Sequence, residues 1–353
     1  MTRRLLIVSV ALLAPLALVA ATSHASSRTY TPCQQVDLPT WSPDGTHIAY
    51  YGRRWPQPNN GNNVLQAYCT MDANGTNAQP LAHTTCQSKC QDPPGQIVWL
   101  KTDKILWLVD GGPIYQATPG SKPAKLTTIN DESFAVDAAQ TRIASGPNFP
   151  GCLTCAGPVS VFSLATGHRV GRVGGSKFDN MFPSLSPDGK RVVFERDPTS
   201  DTGKTYGLWT ASSSGSSVRQ LVKTGFQPLW SPTGKKIAYI AHVGATATLR
   251  LISAGGGKSH ALVSKNVENV FGWSPDGTHI AFESGTGTFG TLSVVDVATR
   301  HVTALLKMKY APTAAWAPNS QELVANSTTA KKCWSTYTVP ANGSTPTRIS
   351  TCS

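Results

Sequence analysis

Residues 271–282 read FGWSPDGTHIAF, from Phe271 to Phe282, and close or eroded copies of this stretch recur along the chain. It reads as two strands joined by a tight turn. Apolar residues run up to Trp273, Ser274-Pro275-Asp276-Gly277 turns the chain, and Ile280-Ala281-Phe282 resumes a β-rich run. Pro275 presets φ for the second turn position, Asp276 can accept hydrogen bonds from nearby backbone N–H groups, and Gly277 supplies the positive φ that side chains resist. The unit is a β-hairpin.

Seven hairpin starts align on this turn, at Trp41, Trp99, Val136, Leu185, Trp230, Trp273 and Trp316. The starts at Trp99 and Val136 are eroded. From Leu185 onward the anchors are separated by 45, 43 and 43 residues, the period of a four-stranded propeller blade. Earlier spacings of 58, 37 and 49 imply insertions and trims in the loops. In the fifth repeat, Lys235–Ile240, Thr248–Ser253 and His260–Ser264 read as the second, third and fourth strands. After the first 25 residues no stretch shows sustained helical periodicity, so the chain reads as all β. The expected architecture is a single β-propeller of four-stranded blades, seven blades by this alignment, with six or eight as alternatives. Stacked blades bury both faces of a sheet, which accounts for continuously apolar runs such as Ile105-Leu106-Trp107-Leu108-Val109.

The repeats resemble the TolB-like, WD40-like propeller repeat, which also occurs in the propeller domains of prolyl-oligopeptidase-type proteases. The resemblance covers essentially all of the chain after residue 25. It implies a fold, and leaves function open. TolB itself carries an α/β domain before its propeller and has six blades. Here about ten residues stand between the apolar leader and the first blade, and the count is seven, so binding to TolA or Pal is not implied. The chain ends inside blade seven, and no hydrolase domain is expected after it.

Residues 1–25 are set apart from this pattern. Arg3 and Arg4 precede an apolar run from Leu5 to Ala21, with small residues at Ser23 and Ala25, the pattern of a secretory signal peptide. A retained membrane anchor is the other reading, although the run is short for a span and no stop-transfer pattern follows. The propeller is then residues 26–353, in the periplasm or secreted. Loss of Arg3 and Arg4 lowers the formal charge from +12 to +10. The Lys and Arg are scattered, which does not suit a nucleic-acid partner. All eight cysteines, Cys33, Cys69, Cys86, Cys90, Cys152, Cys155, Cys333 and Cys352, come after the leader, and an even count in an oxidising compartment reads as disulfides.

With strands in the order A-B-C-D, the tight A-B and C-D turns share one face and the B-C and D-A connections share the other. The second face carries the longer B-C loops, read as 52–63, 146–158, 196–204 and 283–290, and most of the cysteines, which read as stiffening those loops. Function concentrates on such loops over a rigid scaffold. Residues entering the A strands line the mouth of the central channel. There the chain places Asp37, Asp92, Asp131 with Glu132, Asp179 with Asn180, and Glu268 with Asn269. Convergent carboxylates would focus negative potential for an amine, a basic peptide or Ca2+. Alternatively each is a solvated loop residue or caps its own turn. Arg53-Arg54-Trp55 suits a sugar or protein contact, or packs on a neighbouring blade.

If Trp334–Val339 pairs with Pro346–Thr351, opposed residue numbers total 685, as do Cys333 and Cys352, which predicts a disulfide across the last hairpin. Cys152-Leu-Thr-Cys155 reads as a local disulfide before a zinc or redox pair. Gly285-Thr-Gly287-Thr-Phe-Gly290 fits a dinucleotide fingerprint as a string, yet it leads into a strand and not a helix. His47 and His279 fall in a slot that elsewhere holds Arg142, Arg191 or Lys236, so a histidine-bound metal in the channel is not supported. The reading is an exported, non-enzymatic binding or scaffolding propeller, without cofactor and monomeric, whose partner is an envelope or extracellular protein, peptide or glycan. The alternative is a hydrolase or lyase of an extracellular polymer at the channel mouth.

Overall fold

The computed structural model describes residues 33, 35–53, 66–81, 96–108, 112–127, 133–146, 157–198, 207–244, 246–286, 289–309, 313–328 and 334–350. The leader, Arg54, Trp55, Asp92, Asp131, Glu132 and the six cysteines after Cys69 lie outside the described residues, as does the side chain of Arg53.

Twenty-eight strands form seven antiparallel four-stranded sheets, each built from four consecutive strands. The sheets are the blades of one ring, and all seven anchors stand at the last position of an A strand. Blade 4 is typical, with Phe178–Leu185, Arg191–Pro198, Gly207–Ser212 and Arg219–Val222. Among the described residues there is no α-helix. The strands are rich in β-branched and aromatic residues, which suit a pleated surface buried on both sides. In blade 6, Ile280, Ala281, Phe282, Leu292 and Val295 are all fully enclosed.

The turn chemistry works as the sequence indicates, with one addition. Gly277 has φ 74°, its N–H donates to the Ser274 carbonyl at 2.8 Å, and Asp276 Oδ1 accepts from the Thr278 N–H at 3.0 Å. The serine is a second organiser. Ser274 Oγ donates to Asp276 Oδ1 at 2.6 Å and accepts from the His279 N–H at 2.9 Å, so it ties both strands to the turn. Four positions after every anchor the backbone is left-handed. Glycine fills that place in blades 1, 4, 5 and 6, while Asp103, Gln140 and Ser320 adopt φ of 61°, 55° and 61° in the other three. The eroded turns have lost the glycine and kept the conformation. Two of the replacements gain a neighbour: Gln140 Oε1 accepts from the Lys101 N–H at 2.8 Å, and Ser320 Oγ from the Asp276 N–H at 3.1 Å, each on the preceding blade.

Among the described residues no blade shares strands between the two chain ends, so the ring closes by packing. Cys33, Val36, Trp41, Tyr50 and Met71 of blade 1 and its entry form one cluster with Ala317 and Val324 of blade 7. Asn326 Nδ2 reaches the Val36 carbonyl at 3.4 Å. A disulfide joins Cys33 to Cys69, with Cα atoms 5.8 Å apart, inside this cluster. The sequence groups Cys33 with loop-stiffening cysteines. Its bond instead reaches the middle of a buried C strand, Gln66–Asp72.

Two further expectations are corrected. The stretch 283–290 is not a long loop: strands His279–Thr286 and Phe289–Asp296 pair as far as Thr286 with Phe289. Gly290 is a close-packing position, since a Cβ there would collide with the Glu283 carboxylate. In the last hairpin the expected register holds for Tyr337 with Arg348 and Thr338 with Thr347, then shifts by one at Thr336 with Ser350. The two cysteines beyond it lie outside the described residues.

Candidate functional site: the central channel and its mouth

The A strands line the channel, and their register decides what projects into it. Three residues before the anchors stand Leu38, Gln96, Ser133, Phe182, Gln227, Val270 and Thr313. All but Leu38 line a cavity of about 470 Å³ at the centre of the ring. Leu38, Phe182 and Gln227 have φ of 50°, 47° and 50°, and each precedes a proline. A residue before proline is normally pushed to extended backbone, and a positive φ outside glycine is uncommon. Each sits in a bulge, where the A-B register shifts between Asp37 and Thr40, Met181 and Ser184, or Phe226 and Leu229. Such a conformation persists only where its surroundings over-determine it.

A polar chain crosses blades 4, 5 and 6 beside this cavity. Glu195 Oε2 accepts from the Gln227 N–H at 3.4 Å, Gln227 Nε2 donates to Asn269 Oδ1 at 3.4 Å, and Asn269 Nδ2 donates to Glu283 Oε2 at 2.7 Å. The Val270 N–H closes the link by donating to Gln227 Oε1 at 3.4 Å. Glu195 and Glu283 hold the same place in their B strands, directly after Phe194 and Phe282, and each is 5% exposed. Burial pushes the Glu283 carboxyl above its usual range; the Asn269 hydrogen bond opposes that shift and the nearby Glu268 charge adds to it.

Of the residues singled out in the sequence, Asn269 lines the cavity and Glu268 stands close enough to Glu283 to act on its charge. Asp37 is half-buried and accepts from the Leu38 N–H at 3.0 Å. Asp179 bridges to Gly157 through the backbone. Asn180 is fully buried, and its amide nitrogen donates to the carbonyls of Gly157, Gly175 and Phe178 at 2.7, 3.0 and 3.0 Å. Its oxygen accepts from Arg196 Nε at 3.1 Å, so it fastens blade 3 to blade 4. Arg196 is itself enclosed, over the rings of Phe178, Phe194 and Trp209, and burial lowers its pKa. Sequence reasoning misses Glu195, Glu283, Gln227 and Arg196. The available signal is a charged residue closing an apolar B-strand run, Phe-Glu in both blades 4 and 6.

The rim above carries exposed apolar groups. Val243 and Phe289 are 56% and 65% exposed, at the B-C hairpins of blades 5 and 6. Phe226, which opens the A strand of blade 5, stacks on His242 with ring centroids 5.5 Å apart. Among the described residues no three His, Cys, Asp or Glu side chains converge as a metal site would require. His47 and His279 lie by the tight turns, beside Asp72 at 3.5 Å and Asp296 at 3.7 Å, and face Trp99 and Trp316 of the neighbouring blades.

The sequence pattern of the TolB beta propeller domain matches residues 156–353. No curated protein matches the chain in sequence. Solved structures share the ring at low identity. An oligogalacturonate lyase in complex with manganese is 12% identical with a TM-score of 0.65, covering 88% of this chain and 90% of that one. A puromycin-hydrolyzing peptidase of Mycobacterium tuberculosis is 13% identical with a TM-score of 0.65, covering 90% of this chain and 53% of that one. TolB from Acinetobacter baumannii is 16% identical with a TM-score of 0.53, covering 86% and 79%. Similarity at this level speaks for the fold, which these proteins use for different ends.

Proposed function

The chain belongs to the TolB beta propeller domain family, and on that premise we propose that it is an exported binding or scaffolding propeller whose partner docks on the face built from the B-C and D-A connections. The observation that carries this reading is the pair of exposed apolar side chains, Val243 and Phe289, on the B-C hairpins of adjacent blades. Large apolar groups exposed to water on neighbouring elements mark interaction surfaces more than chance exposure does. The opposite face is built of tight turns whose backbone groups are paired within the turn, with hollows beside His47 and His279. An envelope or extracellular protein, peptide or glycan fits an exported chain. Export itself is supported by the leader sequence and by the Cys33–Cys69 bond, of a kind that persists in oxidising compartments. Asp37, Asp179 and Glu268 give the same face carboxylates that would steer a basic partner.

A photo-crosslinking residue placed at Phe289, and in a second protein at Thr278 on the tight-turn face, tests this in cells. Capture of a defined product from position 289 and none from position 278 is the expected result. Equal capture from both positions, or capture from 278 alone, overturns the assignment of the face.

A further inference from the structure

We infer that the tight-turn face of blades 2 to 5 is a docking surface for an anionic lipid membrane. The inference goes beyond the partner proposed for the loop face, which this orientation leaves turned away from the lipid. Every A-B turn has the same length, so equivalent positions of different blades compare directly. Five and six residues after the anchors, blades 2 to 5 carry Lys104, Arg142, Lys190, Arg191, Lys235 and Lys236. Blades 1, 6 and 7 carry Thr46, His47, Thr278, His279, Gln321 and Glu322 there. The cross-strand partners differ in the same way. His47 and His279 stand opposite Asp72 and Asp296, whereas Arg142, Arg191 and Lys236 stand opposite Ser163, Ser212 and Ser253. One sector of the ring pairs its turn-side charges, and the other presents them.

Among the described residues the carboxylates on the tight turns of blades 2 to 5 are Asp103, Asp137 and Asp188. Each is engaged within its own turn, accepting from Trp99 Nε1 at 2.9 Å, the Thr141 N–H at 2.8 Å and Ser186 Oγ at 2.6 Å, and Asp188 also stands 4.0 Å from Lys190. The C-D turns add Lys122 and Lys258, and Arg169 and Arg219 open the outer strands of blades 3 and 4. These cations act on one another. Burial, then the Arg219 charge, lowers the Arg191 pKa against the opposing effect of Asp188; burial, then the Arg300, Lys236 and Arg250 charges, lowers that of His260.

The A-B and C-D connections are all short, so the cations on this face can meet a plane together. Apolar groups decide between a lipid surface and a soluble polyanion. Val170 and Val218 are each 39% exposed, and they adjoin Arg169 and Arg219 at the turn-side ends of neighbouring outer strands. Close packing fixes the two segments against each other, since a Cβ on Gly171 would collide with the Ser213 carbonyl and one on Gly215 with the Arg172 carbonyl. Valine beside arginine suits a headgroup layer, where the methyl groups leave water as the guanidinium meets phosphate. A soluble polyanion offers the valines nothing. An anionic leaflet attracts every cation held near it, and the attraction fades within a Debye length of about 8 Å at physiological salt.

The test is co-sedimentation of the full chain after leader removal with vesicles of phosphatidylcholine alone or of equimolar phosphatidylcholine and phosphatidylglycerol, with dextran sulfate as the soluble polyanion. Binding to the anionic vesicles and not to the neutral ones is expected, falling steeply as salt rises. Lys235→Gln with Lys236→Gln should weaken vesicle binding by at least about tenfold, since each cation lost near such a surface counts for several-fold. Lys307→Gln with Arg348→Gln removes the same charge from blades 6 and 7 and should change binding much less. Val170→Ser with Val218→Ser should weaken vesicle binding and leave dextran sulfate binding unchanged. The substituted side chains are all exposed, so each variant should keep a cooperative melting transition. Equal binding to neutral vesicles, equal losses in the two charge variants, or unchanged vesicle affinity in the valine variant overturns the inference. Binding to dextran sulfate without binding to vesicles also overturns it, and gives the surface to a soluble polyanion.

Discussion

Strand D of blade 6, Val302–Lys309, runs for eight residues, whereas strand D of blade 1, Gln79–Pro80, and of blade 2, Ala124–Lys125, run for two. All of them hang from the same turn. Left-handed backbone recurs four residues after every anchor, in the regular later blades and in the irregular early ones alike. The blades differ in the strands beyond the turn: B strands run for eight residues in blades 4 to 6, against four and five in blades 2 and 3, and the family match begins at residue 156, within blade 3. The turn conformation is common to every blade, while outer-strand length varies from blade to blade. The early blades must find their cohesion elsewhere, and blade 1 finds it in a disulfide at the seam of the ring.

Breaking that disulfide should have the largest effect. Cys33 and Cys69 are 36 residues apart, and closing a loop of that length removes about 4 kcal/mol of unfolded-state entropy in the chain-entropy account. Cys33→Ser with Cys69→Ser is expected to lower the melting temperature markedly. Hydrogen exchange should rise first in strand Gln66–Asp72 and in the blade 7 strand that packs on it, with blades 4 to 6 still protected. Uniform loss of protection around the ring would show that the early blades are no weaker than the late ones.

The boundary between the two parts is the next place to probe. Asn180 joins the Gly157 carbonyl of blade 3 to the entry of blade 4 and supports the buried Arg196. Asn180→Ala removes the side-chain partner of the Gly157 and Gly175 carbonyls and of the buried Arg196 Nε–H, while the Phe178 carbonyl keeps the Gly157 N–H, at a cost of about 2–3 kcal/mol. Denaturant unfolding should show the loss. A change in the slope of that transition would mean that blades 3 and 4 had come apart into separate units.

These outcomes bear on why the fold can be read from the sequence and the site only in part. Gly277 and its equivalents fix φ within a single residue, and Pro275 and Asp276 act over two or three, so the clear anchors are visible locally, while the eroded ones at Trp99 and Val136 show only by alignment with them. The pairing of Cys33 with Cys69 depends on where two distant segments meet, which spacing does not encode. Gly290 reads as loop because glycine is permissive, while its physical reason is room for the Glu283 carboxylate on the adjoining strand. Glu195 and Glu283 read as strand residues, and only their shared place after a phenylalanine marks them. Asn180 shows the converse: a polar residue at the start of an A strand points to the mouth in sequence, and packing closes it off.

The smallest effect tests whether the turn is equivalent in both parts of the ring. Hydrogen bonds from the Ser42 hydroxyl, then from Thr46, lower the Asp44 carboxyl to a pKa of about 2, against an ordinary value of 3.8. Asp188 and Asp276, in the regular blades, are lowered as well: the Ser186 hydroxyl leads at Asp188, and at Asp276 an opposing burial effect is outweighed by hydrogen bonds from Ser274 and Thr278. A depressed carboxylate contributes stability above its unfolded pKa and loses it as pH falls through the folded value. Asp44→Asn keeps the acceptor oxygen and removes the charge. The variant should melt slightly below the parent at neutral pH, and the gap should close as pH falls from about 4 to about 2. Asp276→Asn should show the same profile if one turn serves all blades. A gap that persists at the acid end would assign the effect to hydrogen-bond geometry and not to charge, and different profiles for the two variants would mean that the early turn is supported by its blade in a way the late one is not.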